Sequence, residues 1–487
     1  MVADDPVDPV SFRSHSAGTM GNTYIFIVHC EGMADADRET LRRQFIKAAS
    51  VAGIAGMAGC TGGGGSGSSG NDSTGGGGDG NGSSGNNGNE STGSGNAAEI
   101  KHVAPGYDGL FSDDLAPRFN EAVSDVQVSI QSTTAESSST RDYFVNQFVS
   151  QSSDFDDGMM DVIWPAEFAM NEWIEPVNDP EGYTDAMLET PVEAATIDGT
   201  LVGMPLFTDA NGFYYRTDKL EEYGHDPPKT YTEVIEIAKD VLEKDDEIEN
   251  GYIWQGGPNE GLTIMWLNWL WGMGGGVKRD GKLVVNSQKG VEALTHAREL
   301  IAEHGVTPES VPSSSTDENR QTFQQGNTLF MRNWPYAVAA MSGEDSAVDG
   351  KFDVTRMPKQ EGNSDANNSC LGGWNVFINS YSENVEAAQT FAQFFASKEI
   401  QRRLAVEHSR LPVREGVYNE EVFNEAPLVE TFSEIANETS ARPSTPKYTT
   451  FSSIVFTEAN KALIGDVSPQ KALDNAQSQI DSDVNDA

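Results

Sequence analysis

Aromatic side chains beside turn-forming residues are the strongest chemical signal in this chain. Trp334 and Tyr336 flank Pro335, which holds the local backbone extended. Trp374 directly follows two glycines, so backbone can approach a ligand closely beside its indole. Sugar rings present apolar C–H faces that stack on aromatic rings, while their hydroxyls need carboxylate and guanidinium partners. These positions indicate a sugar-binding surface, with core packing as the alternative for each tryptophan.

The sequence carries no recognisable motif of a reactive centre. GxSxG, HExxH, P-loop and GxGxxG patterns are absent. The seven histidines do not cluster, and the three cysteines form neither a CxxC nor a Cys/His pattern. A glycosidase would need two carboxylates flanking the scissile bond, and such a pair cannot be recognised among 75 acidic residues. We therefore expect no catalytic residue, no metal and no cofactor.

The net charge limits the kinds of molecule that this chain can bind. The chain has 32 Lys and Arg against 75 Asp and Glu, a net charge of -43. Such a chain repels a phosphate backbone, which excludes nucleic acid, and it binds an anionic membrane surface only through a lipid anchor. Because 37% of the residues are hydrophobic, a folded core is expected beneath an acidic surface like that of proteins from salt-loving archaea. At molar salt the Debye length falls to about 3 Å, which screens the self-repulsion.

An export signal precedes the globular part. Arg42 and Arg43, followed by Gln-Phe-Ile-Lys, resemble a twin-arginine signal, and Ala-Gly before Cys60 resembles a lipoprotein cleavage box. The apolar stretch between them has 11 residues, far short of the roughly 20 that span a bilayer. We expect residues 33–59 to be the signal, with Met33 as the true start and residues 1–32 as a start-site artefact.

A flexible tether follows the cysteine. Residues 61–96 include 16 glycines among Ser, Asn, Thr and Asp, a composition that cannot bury a core. Its root-mean-square span is roughly 33 Å. The body from residue 97 onward is too large for one usual core, so two lobes are expected.

The body alternates strand and helix patterns, which predicts an α/β architecture with central sheets flanked by helices. Thr230 and Glu233 form a capping box before a helix, and Trp266, Trp269 and Trp271 share one predicted helix, where core packing is favoured. Predicted strands cover residues 100–104, 126–131, 160–164, 213–216, 252–255, 329–332 and 374–379. Predicted helices cover residues 110–123, 142–149, 234–242, 262–271, 291–303 and 384–396, with another after Pro469.

The order of signal, lipid box, tether and α/β body resembles the solute-binding lipoproteins of ABC importers. Asp-Val-Ile-Trp at 161–164, Gly-Met-Pro-Leu-Phe-Thr-Asp at 203–209, Arg-Asn-Trp-Pro-Tyr at 332–336 and Gly-Gly-Trp at 372–374 resemble the trehalose/maltose-binding branch of family 1, in a haloarchaeal form. The resemblance implies a two-lobed periplasmic-binding-protein-like fold of type II with a hinge between the lobes. Lobe one would be 97–206 plus 371–412, and lobe two 207–370 plus 413–487.

The resemblance also implies ligand-binding residues. Asp161 and Asp209 resemble carboxylates that accept from sugar hydroxyls, and Arg442 resembles a late arginine that reaches the ligand. The stacking aromatics would be Trp334, Tyr336 and Trp374, with the Gly373 backbone beside them. Arg141 and Asp108 correspond more loosely. Phe207 departs from the family, where tyrosine is frequent, and a lost hydroxyl would remove about 0.5–1.5 kcal/mol of hydrogen bonding.

The implied function is that of a non-enzymatic receptor, expected to be monomeric. It would sit lipid-anchored on the extracellular face of the cytoplasmic membrane and deliver a di- or oligosaccharide, trehalose or maltose being favoured, to a permease with a cytoplasmic ATPase. The alternatives are the same role for glucose or another solute, an anchored glycoside hydrolase, and a purely structural lipoprotein.

We expect Cys60 to be the mature N-terminus and to carry lipid. The small residues before it fit a cleavage box, and the glycine tether begins directly after it. Mass spectrometry of the membrane-attached protein should find no residue before Cys60, and a Cys60→Ala chain should lose membrane attachment. Peptides from residues 33–59 on the attached protein would contradict this processing.

Overall fold

The computed structural model describes residues 97–106, 109–134, 136–364 and 366–486. The predicted signal, Cys60, the tether and Asp108 lie outside these residues. Within the described part of the chain, no helix combines the length and the apolar character needed to cross a bilayer.

The strands, in chain order, are β1 (Ala98–Pro105), β2 (Val126–Thr133), β3 (Asp157–Asp161), β4 (Ile174–Glu175), β5 (Thr196–Ile197), β6 (Thr200–Leu201), β7 (Met204–Ala210), β8 (Gly212–Arg216), β9 (Asn250–Ile253), β10 (Lys278–Arg279), β11 (Lys282–Leu283), β12 (Thr328–Asn333), β13 (Phe352–Thr355), β14 (Ser369–Asn379) and β15 (Thr439–Ser440).

The α-helices are α1 (Ala116–Ala122), α2 (Ser137–Val149), α3 (Pro165–Met170), α4 (Glu189–Ala194), α5 (Thr217–Tyr223), α6 (Tyr231–Lys244), α7 (Glu260–Gly272), α8 (Gln288–Ala302), α9 (Thr316–Gln324), α10 (Ala337–Ala340), α11 (Val385–Phe394), α12 (Lys398–His408), α13 (Glu420–Glu425), α14 (Pro427–Ala436), α15 (Tyr448–Leu463) and α16 (Pro469–Ile480).

The first sheet has the order β15-β14-β3-β1-β2, and β4 and β7 also pair with β14. β1 runs parallel to β2 and β3, whereas β14 runs antiparallel to β3. Every residue of β3 is buried, as expected for a central strand that helices cover on both faces. An aromatic cluster around Phe144, Phe148 and Phe377 fills the space beside this strand.

The second sheet has the order β13-β8-β12-β9. Its core contains α7, which is buried almost all round, and the ring of Trp254 packs edge-on against Trp269 at 4.8 Å. Trp266 and Trp269 are fully or nearly fully buried, and the partly buried Trp271 packs against the same core. The prediction that these three tryptophans are packing residues is confirmed.

Two neighbouring strands carry the chain between the sheets. β7 pairs antiparallel with β14, from Leu371 opposite Ala210 to Val376 opposite Met204. β8 of the second sheet begins two residues after β7 ends. At that point the Ser369 hydroxyl accepts from the Asn211 N–H at 2.7 Å and donates to its carbonyl at 3.0 Å. The lobe boundaries predicted at 206/207 and 370/371 both fall within these two strands.

Local sequence patterns predicted the bounds of most helices and strands to within a few residues. The predicted architecture of two sheets with flanking helices is confirmed. The capping box of Thr230 and Glu233 is present at the start of α6. The strand predicted at 160–164 is wrong at its end, because β3 stops at Asp161 and Trp164 caps α3. Pro165 supplies the reason, since proline fits the first turn of a helix but not a central strand.

Candidate functional site

A cavity lies where the ends of β3, β7 and β14 meet α7 and the segment after β12. Its volume is about 70 Å³, room for roughly five water molecules. Carboxylates, aromatic rings, guanidinium groups and glycine backbone line it together. The side chains that matter for its chemistry are Glu136, Asp161, Asp209, Glu260, Asp317, Trp334, Tyr336, Trp374, Arg410 and Arg442.

Arg442 joins the two sides of this cavity. Its Nη2 donates to Asp161 Oδ1 at 3.0 Å, and its Nη1 donates to Glu260 Oε1 at 3.1 Å. Asp161 ends β3 of the first sheet, whereas Glu260 begins α7 beside the second sheet. Burial alone would lower the pKa of Arg442, but the two carboxylates raise it well above its ordinary value. The guanidinium therefore stays charged and holds both carboxylates at once.

Glu260 is held by α15 as well. The Tyr448 hydroxyl donates to its Oε1 at 2.6 Å, and the Ser452 hydroxyl donates to its other oxygen. Burial raises the pKa of Glu260, while Arg442 and the two hydroxyls oppose that rise. Its place in the first turn of α7 also favours the charged form, because the amino end of a helix carries partial positive charge.

Trp334 and Trp374 form aromatic walls that other groups hold in place. The Tyr214 hydroxyl donates to the Trp334 carbonyl at 2.6 Å, which fixes the backbone just before Pro335. The Trp374 ring meets Trp164 edge-on, with 5.5 Å between ring centroids. A Cβ on Gly372 would lie 2.7 Å from the Trp334 ring, so only glycine permits this approach.

A second arginine, Arg410, packs against Tyr336, the third aromatic side chain of the cavity. Arg410 is almost fully buried, and its guanidinium lies 4.9 Å from the ring centroid of Tyr336 and 4.6 Å from that of Phe207. Gly373 passes close to the Phe207 backbone, where a Cβ would lie 2.8 Å from the carbonyl oxygen. Its φ of 141° is also a conformation that glycine tolerates best.

The structure brings most of the residues singled out from the sequence to this cavity: Asp161, Asp209, Trp334, Tyr336, Gly373, Trp374 and Arg442 all line it. Arg141 lies outside the lining. Its Nε donates to Glu167 Oε2 at 2.9 Å, and its Nη1 pairs with Asp142 at 3.0 Å. Asp108 lies outside the described residues.

Sequence reasoning missed several lining residues, notably Glu136, Glu260, Asp317 and Arg410. Glu260 belongs to a Glu-Gly-Leu-Thr motif, which could have drawn attention to it. Its burial depends on Arg442 and Ser452, which lie far away in the chain, so no local pattern shows it. The described residues contain no cluster of three or more His, Cys, Asp or Glu side chains placed to hold a metal ion.

Comparison with known proteins defines the class. The model of the bacterial extracellular solute-binding protein family matches residues 102–402. A probable ABC transporter-binding protein from Deinococcus radiodurans is 33% identical over 347 residues, covering 69% of this chain and 82% of the relative. The chain therefore belongs to the extracellular solute-binding proteins of ABC transporters, which bind their ligands without transforming them.

Solved structures extend the comparison to the fold. Maltose-bound MalE3 of T. maritima is similar with 32% identity and a TM-score of 0.75, covering 79% of this chain and 100% of that chain. The GacH receptor of Streptomyces glaucescens has 20% identity and a TM-score of 0.71, covering 80% and 99%. These neighbours are two-lobed solute-binding proteins, so the predicted fold class is confirmed. The glycoside hydrolase alternative is wrong, since the family is not enzymatic.

We expect Arg442→Met to lower the free energy of unfolding by about 3–5 kcal/mol at neutral pH, because it leaves Asp161 and Glu260 buried without their cation. The pKa of Glu260, already raised by burial, should rise further in this variant. A raised carboxyl pKa favours folding at low pH and loses that contribution as the pH increases. Urea unfolding should therefore show a larger deficit at pH 7.5 than at pH 4.5.

Two further variants serve as controls for this measurement. Adding Glu260→Gln to Arg442→Met removes one stranded charge and should recover part of the stability at pH 7.5. Arg298→Met breaks a bond from Nη1 to the Leu463 carbonyl, remote from the carboxylates, and its deficit should not depend on pH. If Arg442→Met lowers the free energy of unfolding equally at both pH values, the role assigned to the ion pairs of Arg442 with Asp161 and Glu260 is wrong.

Proposed function

We propose that this protein is a sugar receptor that binds a neutral di- or oligosaccharide in the cavity and passes it to an ABC permease. The observation that carries the proposal is the combination, in one cavity, of aromatic walls with carboxyl and guanidinium groups. Pyranose rings stack their C–H faces on aromatic rings, and their hydroxyls both donate to carboxylates and accept from arginine. Few other neutral solutes use all three kinds of group.

The ligands of similar proteins support this class. MalE3 was solved with maltose, GacH with acarbose, and a neighbour from Thermotoga lettingae with α-D-tagatose. A relative from Pyrococcus abyssi, 21% identical over 58% of this chain, is named a maltotriose-binding protein. Maltose or trehalose is the favoured ligand for this chain, and glucose or another polyhydroxylated solute is the alternative.

Binding such a sugar requires the site to open. A disaccharide is several times larger than the few water molecules that about 70 Å³ can hold. Polar contacts between the two predicted lobes can exchange for water when the site opens, among them the bond from the Thr449 hydroxyl to Glu167 Oε2 at 3.2 Å. Each such exchange has a small net cost, about 0.5–1.5 kcal/mol. Lobe one (97–206 plus 371–412) and lobe two (207–370 plus 413–487) would then close on the sugar about β7 and β14.

The cellular setting is part of the proposal. The twin-arginine-like segment, the Cys60 box and the glycine-rich stretch support export and lipid anchoring on the outer face of the cytoplasmic membrane. The net charge of -43 supports a function at high salt, where self-repulsion is screened.

A thermal-shift screen of sugars in molar salt tests the function. A ligand present at 100 times its dissociation constant should stabilise the fold by about 2.7 kcal/mol. We expect a clear rise in the melting temperature with maltose or trehalose, a smaller rise or none with glucose, and no shift with amino acids. Recovery of unchanged disaccharide after long incubation is expected. The absence of a shift with every sugar would favour the alternative of a purely structural lipoprotein.

We expect Trp374→Ala and Trp334→Ala each to weaken sugar binding by about 1–3 kcal/mol, because each removes an aromatic wall of the cavity. Trp269→Ala is the matched control, since this residue is 2% exposed in the core of the second sheet. It should lower the free energy of unfolding by about 3–5 kcal/mol while leaving affinity unchanged. Calorimetry that shows equal affinity for the wild type and both cavity variants would contradict the assignment.

A further inference from the structure

Arg332 is a buried cation that the proposed sugar contacts do not use. It lies in β12 two residues before Trp334 and is 0% exposed. Its Nη1 donates to Gln255 Oε1 at 2.7 Å, whereas its Nε and Nη2 have no hydrogen-bond partner among the described residues. In that part of the chain, no carboxylate forms an ion pair with it either. Burial lowers its pKa to about 10, still high enough for the charge to persist at neutral pH.

The guanidinium of Arg332 lies against the Trp334 indole. Its Cζ lies 4.4 Å from the ring centroid, the geometry of a cation–π contact. Arg332 is fully buried and does not line the cavity, whereas Trp334 is partly exposed and does. One face of the indole is therefore covered by Arg332, and the remaining ring surface is left for the cavity.

The hydrogen bonds of Trp334 hold its backbone rather than its ring. Tyr214 and Asn333 fix its backbone, through bonds to the carbonyl at 2.6 Å and from the N–H at 2.8 Å. Gly372 lies against the six-membered end of the ring. Neither constraint sets the tilt of the indole plane, which depends on what lies against its face. Trp374 differs, because Trp164, an uncharged ring, supports it.

We propose that Arg332 is a positioning residue for ligand binding, which sets the plane of the Trp334 indole by stacking its guanidinium on the buried face. This inference rests on the proposed sugar-binding function. A charge without a carboxylate partner destabilises a core, and an aliphatic side chain of similar length would fill the same space. Planarity gives arginine a property that neither lysine nor methionine has, namely a flat surface that stacks on a ring.

The proposal predicts opposite changes in stability and affinity. Arg332→Met removes the buried charge, so the melting temperature should stay equal or rise. Affinity for maltose, or for trehalose if that sugar binds better, should fall about tenfold as the indole loses its support. Arg332→Lys keeps the charge but not the plane, and its affinity should be intermediate.

Arg216→Met is the matched control in the same sheet. Arg216 is 4% exposed but fully engaged, with Asp218 at 2.6 Å and with the Gly326 carbonyl. Its loss should lower the melting temperature and leave affinity unchanged. If Arg332→Met behaves in the same way as this control, Arg332 is a structural residue and the proposal is wrong.

Two measurements separate this inference from the function on which it rests. The chain has eight tryptophans, so ¹⁹F spectra of the fluorotryptophan-labelled protein should give a Trp334 resonance that Trp334→Phe identifies. Without any sugar, Arg332→Met should shift or broaden that resonance and Arg216→Met should not. An unchanged resonance overturns the proposal whether or not the wild type binds sugar, whereas a wild type that binds no sugar overturns the function.

A double-mutant cycle completes the test. If Arg332 acts through the indole, Arg332→Met should cost no further affinity when Trp334 is already alanine. An equal loss in both backgrounds would mean that Arg332 affects binding by another route, and it would overturn the positioning role.

Discussion

The site depends on one buried guanidinium shared by two carboxylates. Arg442 contacts Asp161 from the first sheet and Glu260 from the start of α7, with all three side chains largely removed from water. Removing such charges from water is costly, and only the full set of partners offsets that cost. Glu260 therefore also needs Tyr448 and Ser452 from α15. Helix α15 therefore helps to hold the cavity together, although it lies far from Asp161 and Glu260 in sequence.

A second constraint is that β7 and β14 have two roles: they connect the two sheets, and they line the cavity. β7 contributes Asp209 and β14 contributes Gly373 and Trp374, so the strands that connect the sheets also line the cavity. A change in the angle between the sheets would move these groups with it. The Arg442 bridge would have to break or stretch in the same movement, and a ligand that accepts from Arg442 could take the place of one carboxylate. A ligand shifts such an equilibrium only through contacts that differ between the open and closed forms.

The sequence predicted those features whose causes are local. The capping box at Thr230, the start of the last helix at Pro469 and the packing of Trp266 and Trp269 follow from residue type and spacing, and all are observed. Most lining residues came from motifs that resemble a known family rather than from physical reasoning. Glu260 lies in a Glu-Gly-Leu-Thr motif, but nothing near it in the sequence shows that it is buried, and Arg410 lies in no such motif. The burial of both side chains depends on distant partners. For none of the 75 acidic residues do the neighbouring residues in the sequence alone predict burial.

The charges around the cavity argue for the kind of ligand. Glu136, Asp161, Asp209, Glu260 and Asp317 line it together with Arg410 and Arg442, so carboxylates outnumber guanidinium groups. An anionic ligand would meet this excess inside a protein whose net charge is already -43. A neutral sugar avoids that repulsion, and its hydroxyls can donate to these carboxylates. The excess of carboxylates in the lining thus favours neutral, hydroxyl-rich ligands over anionic ones.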